Sequence, residues 1–88
     1  MEIYVTILGR GGHASRPDKS YNPIDCFTAL YGALQTIPCS INRVSGGNSG
    51  NIIPESLDFW GKCDNVEALQ NILEHICPIY HCSFNIHK

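Results

Sequence analysis

From Glu2 to Leu8 apolar and polar side chains alternate, with Ile3, Val5 and Ile7 on one side and Glu2, Tyr4 and Thr6 on the other. This period of two in a β-branched run predicts a strand with one buried face. The period changes after Asn22-Pro23, a cap residue followed by a proline suited to the first helical position. Ile24, Phe27, Leu30, Leu34 and Ile37 then recur at three- and four-residue steps, predicting a helix over residues 23–37 with that stripe in the core. Small residues flank the stripe: Cys26, Ala29, Gly32 and Ala33. They form a candidate subunit contact, or else mark a helix more buried than usual.

Pro38 stops this helix. Residues 39–44 are a short edge-strand candidate anchored by Ile41, and alternation returns strongly over residues 56–63, where Leu57, Phe59, Gly61 and Cys63 share a face. Asp64 followed three residues later by Glu67 has the form of a capping box, so a second helix begins there. Val66, Leu69, Ile72, Leu73 and Ile76 form its buried face, and Pro78 ends it. A last strand over residues 82–87 turns Cys82, Phe84 and Ile86 inward. The order β-α-β-β-α-β predicts an α+β, ferredoxin-like two-layer sandwich in which two helices cover one face of a four-stranded antiparallel sheet.

Two glycine-rich segments interrupt these elements. Gly9-Arg10-Gly11-Gly12-His13 follows the first strand, and Arg16-Pro17 stiffens the exit. The second segment is Ser45-Gly46-Gly47-Asn48-Ser49-Gly50-Asn51. The first segment presents His13 as the candidate chemistry. Phosphate binding by the first segment is disfavoured, because it lacks the G-x-x-x-x-G-K-[ST] pattern and does not open directly into a helix.

Composition narrows the class. Eighty-eight residues, 43% of them apolar, support one domain with one core. A net charge of −2 with scattered basic residues gives no footprint for nucleic acid or an anionic membrane. No apolar run approaches the ~20 residues that span a bilayer, so the expectation is a soluble chain without a targeting segment. Five cysteines at uneven spacing argue for reduced thiols and a cytoplasmic location rather than a disulfide framework. A zinc site drawn from Cys63, Cys77, Cys82, His75, His81 and His87 lacks any C-x-x-C or His-x-x-x-His pair, and buried apolar cysteine is the simpler account.

In this order, Gly11-Gly12-His13-Ala14-Ser15-Arg16-Pro17, Asn22-Pro23-Ile24-Asp25, Ala33-Leu34-Gln35-Thr36-Ile37 and Gly46-Gly47 with Asn51-Ile52-Ile53-Pro54-Glu55 resemble the dimerisation, or lid, domain of the M20 metallopeptidases. The resemblance is in particular to the branch of hippurate hydrolases, aminoacylases and N-acyl-amino-acid amidohydrolases. It implies that residues 1–88 are a lid without its zinc-binding catalytic domain, and that the isolated chain is not catalytic. The lid would form a homodimer. His13 would reach across it and stabilise the oxyanion in the partner's active site, while Asn51, given room by Gly46 and Gly47, would contact an N-acyl amino acid or peptide substrate. No cofactor is expected in this chain; two zinc ions are expected in the catalytic domain.

Two departures accompany the resemblance. Asp64 stands where many relatives carry an arginine suited to a substrate carboxylate, leaving Arg16 and Lys62 as substitutes. The connection between Ile37 and Gly46 is shorter than the family's usual one. A different class of function is a stand-alone ferredoxin-like dimerisation or small-molecule-binding module.

Overall fold

The computed structural model describes residues 1–13, 20–47, 50 and 52–87, with His13 described in its backbone. The long elements are β1 (Glu2–Leu8), α1 (Pro23–Leu34), β3 (Cys39–Ser45), β5 (Ser56–Cys63), α2 (Val66–Ile76) and β6 (Ser83–His87). Two short strands, β2 (Gly12–His13) and β4 (Ile52–Ile53), lie within the glycine-rich segments. The main sheet runs β3-β5-β1-β6 with every neighbouring pair antiparallel. Together with the two helices this is the predicted ferredoxin-like sandwich.

Alternation is what gives the sheet a dry side. Ile3, Val5 and Ile7 of β1 and Leu57, Phe59 and Cys63 of β5 are buried in one cluster with Leu30 and Leu34 of α1 and Leu69 and Leu73 of α2. The other side is polar and aromatic. There Thr6 and Tyr4 donate hydrogen bonds to the Asp58 carboxylate at 2.6 and 3.1 Å. His87, Tyr4, Trp60 and Arg43 form a row across all four strands, with the Tyr4 ring centroid 3.9 Å from His87 and 4.8 Å from Trp60.

α1 departs from its predicted stripe. It ends at Leu34, and its buried residues are Pro23, Cys26, Leu30 and Leu34, while Ile24 is 38% exposed. The cause is a second neighbour. A 3₁₀ turn over Cys77–Tyr80 follows α2, and Cys77 Sγ lies 3.8 Å from Cys26 Sγ, an approach that needs a small side chain on α1. The strip of small residues is therefore not one outward face: Cys26 is fully buried, whereas nothing lies within 4 Å of a Cβ built on Gly32. At α2 the cap is Asn65, whose side-chain oxygen accepts from Ala68 N at 3.0 Å, one residue later than the capping box predicts.

The expectation of five reduced cysteines is overturned. Cys39 and Cys63 stand opposite each other in the β3–β5 register and are joined by a disulfide; Cys26, Cys77 and Cys82 are free and buried. In the chain-entropy account, closing a loop of 24 residues is worth about 3 kcal/mol. β3 is an edge strand, as predicted, with an irregularity between Ile41 and Arg43. Opposite Ile41, a side chain on Gly61 would run into the Ser40 carbonyl oxygen, so glycine is what lets β3 lie this close.

Candidate functional site: two paired loops beyond the sheet

At the Leu8 end of the sheet, the β1–β5 pairing continues into both glycine-rich segments. Leu8 is opposite Ser56, and Gly9 N donates to Glu55 O at 2.8 Å. Further out Gly12 pairs with Ile53 and His13 with Ile52. Between these contacts two residues, Arg10 and Gly11, stand against one, Pro54. That is a bulge-like step, and it re-aims the ribbon that follows. Arg10 turns aside and pairs with Tyr21: Arg10 N donates to Tyr21 O at 2.8 Å, and Tyr21 N to Arg10 O at 2.9 Å. The bridge closes the segment between them into a loop.

Glycine is required here by space. A Cβ on Gly11 would meet Glu55 Cγ at 2.7 Å and Ile53 O at 2.9 Å, and one on Gly9 would collide with the Tyr21 carbonyl oxygen. Gly47 has φ +81°, a left-handed conformation that glycine adopts without steric cost. Gly11, Gly12 and Gly47 together with residues 52–56 line an open recess of about 630 Å³. Glu55 is the charged residue on its wall, and Ile52, 52% exposed, is its most solvent-facing large apolar side chain.

The structure thus brings together the backbone of His13, Gly47 and Ile52, the residue that follows Asn51. Gly46, next to Gly47 in the chain, packs against Leu57, whose side chain a Cβ would meet at 3.1 Å. Asn51 and Arg16 lie outside the described residues. Lys62 and Asp64 are at the far end of β5, remote from the recess along the strand. Tyr21 was not singled out by sequence pattern, and Glu55 entered only as the last residue of the motif that begins at Asn51. Their roles come from long-range pairing, which leaves no local signature.

Among the described residues no group of three or more His, Cys, Asp and Glu side chains could hold a metal ion. Of the residues weighed for zinc, Cys63 is in the disulfide, Cys77 and Cys82 lie beside Cys26 in the core, His81 lies against Tyr21 and His87 against Tyr4. A hydrogen bond given to the Cys77 sulfur, followed by burial, pushes the Cys26 thiol well above its usual range, and burial foremost pushes Cys82 up to about 11. These are core thiols rather than nucleophiles. The outer aromatic row is also no platform for a nucleobase, because its near-parallel rings already stack on one another.

The architecture is a ferredoxin-like sandwich with two loops that pair beyond one end of the sheet. Residues 1–78 match the peptidase dimerisation domain of the M20 family, and the chain belongs to that family. It is 32% identical over 85 residues to N-acetylcysteine deacetylase of Bacillus subtilis, covering 82% of this chain and 22% of that protein. It is 36% identical over 62 residues to hippurate hydrolase of Campylobacter jejuni, covering 58% of this chain and 16% of that protein. The chain spans about a fifth of the length of the curated relatives it matches.

Among solved structures, aminopeptidase PepT from Bacillus cereus superposes with a TM-score of 0.80 at 16% identity, over 98% of this chain and 27% of that one. A dinuclear metal binding peptidase of the M20 family from Bacillus subtilis superposes with a TM-score of 0.60 at 22% identity, over 98% of this chain and 24% of that one.

Proposed function

We propose that the chain is the lid of a metal-dependent amidohydrolase acting on N-acyl amino acids or peptides. The observation that carries this is the pairing of the two loops, which sets His13 directly opposite Ile52 on a ribbon projecting past the sheet. A backbone ribbon that projects past the sheet is placed to offer its residues to something outside the domain. His13 serves as a hydrogen-bond donor to the oxygen of the scissile carbonyl in a partner subunit, where negative charge grows as the carbonyl is attacked. Asn51 contacts the substrate with its amide, which can donate or accept. On this reading the two zinc ions and the general base sit in the catalytic domain of the hydrolase, and the lid supplies His13 and Asn51 to it.

The homodimer forms through the side of the sandwich where α1 meets β3. Tyr31 and Val44 are 45% and 47% exposed there, and with Phe27, Ile41, Asn42 and Arg43 they line a groove beside the sheet edge. Two copies joined about a twofold axis would extend the sheet across β3 and set the α1 helices side by side.

Mixed dimers test the trans assignment. In the hydrolase that contains this chain, His13→Ala is expected to lower kcat by about 10²- to 10³-fold. Subunits carrying His13→Ala, mixed with subunits lacking a metal ligand, should recover activity, since random pairing leaves about a quarter of the sites complete. Full activity of His13→Ala, or no recovery on mixing, would contradict the assignment.

A further inference from the structure

His81 is the one non-glycine residue with positive φ among the described residues, at φ 56° and ψ 33°. Its ring centroid lies 4.8 Å from that of Tyr21. A left-handed histidine is uncommon, and a conformation of this kind persists only where the surroundings enforce it. Here they do. His81 N donates to Pro78 O at 3.1 Å, and the next residue, Cys82, donates to Cys77 O at 2.9 Å and is buried. The following residue, Ser83, pairs with Leu8. His81 is therefore held at the end of the sheet where β1 gives way to the His13 loop.

Tyr21 is the other half of the contact, and its backbone closes that loop through both hydrogen bonds with Arg10. Its carbonyl oxygen also occupies the space that a side chain on Gly9 would need. Arg10 and Tyr21 are both exposed, so the two hydrogen bonds between them lie where water competes for the same groups. We propose that His81 is a positioning residue: its ring, fixed by the turn after α2, holds Tyr21 against Arg10 and so sets the base from which His13 is presented. The structural clamp stands on the geometry, and its catalytic consequence rests on the lid reading.

The left-handed backbone supplies a test that separates positioning from folding. His81→Gly removes the ring while fitting φ 56° without steric cost, and His81→Asn removes it with a residue that tolerates this region. Both variants should keep or raise the melting temperature. Amide hydrogen exchange at Arg10 and Tyr21, measured by NMR on the 88-residue chain, should accelerate about tenfold while the β1–β5 ladder stays protected. Tyr21→Phe, which keeps a ring, should match wild type. Unchanged exchange at Arg10 and Tyr21, or an equal loss of protection throughout the ladder, would overturn the clamp. In the hydrolase, His81→Gly should lower kcat and leave KM in place. Accelerated exchange with unchanged kcat would support the clamp and count against the catalytic role of His13.

Discussion

Cys82 is 8% exposed, and burial, reinforced by the neighbouring Cys26, holds its thiol at about 11. In the unfolded chain the same thiol ionises near the ordinary value of 9.0. Between those values the folded state keeps a proton that the unfolded state has lost, so stability is full below pH 9.0 and falls as pH rises toward 11. Urea unfolding should show a lower midpoint at pH 10.5 than at pH 8, and Cys82→Ala should narrow the difference. A midpoint that held or rose would contradict the buried-thiol account. Spacing treats the five cysteines as one population, and for Cys26, Cys77 and Cys82 the buried reading agrees with the structure. Cys39 and Cys63 differ only because the β3–β5 register sets them face to face, and register is not written in the spacing of either residue. His81 was equally silent: a histidine before a strand carries no mark of the left-handed turn that makes it useful.

At the scale of elements, the strands with strict alternation were legible, since Ile3, Val5, Ile7, Leu57 and Phe59 can all be buried in only one pleat orientation. α1 was harder, because its buried face is shared between the sheet and the turn at Cys77, and a single stripe cannot describe two neighbours. The β2–β4 pairing escaped prediction altogether: each strand has two residues and its partner lies about forty positions away along the chain. Gly61 belongs to the alternation of β5 yet is there for the sake of β3. Gly61→Ala places a methyl group against the Ser40 carbonyl and should destabilise the fold by about 1–3 kcal/mol, an overpacking cost. The loss should appear first as faster amide exchange in β3; an unaltered denaturation midpoint would mean that the edge strand yields without cost.

For the whole molecule, one side carries the core, one end carries the paired loops, and one edge carries the groove between α1 and β3. The four-motif resemblance anticipated the family, and the order of the elements anticipated the fold. Asn51, the residue proposed to contact substrate, lies outside the described residues. Pairing through the α1–β3 edge is the claim on which the rest depends, because His13 acts in trans only if two lids meet. Sedimentation equilibrium of the chain and of Val44→Glu tests it most directly. The account predicts a species of twice the 9.7 kDa chain mass for the wild type, and the chain mass alone once a carboxylate is buried at the edge. A wild-type chain that stays at 9.7 kDa, or a Val44→Glu variant that still dimerises, would contradict it.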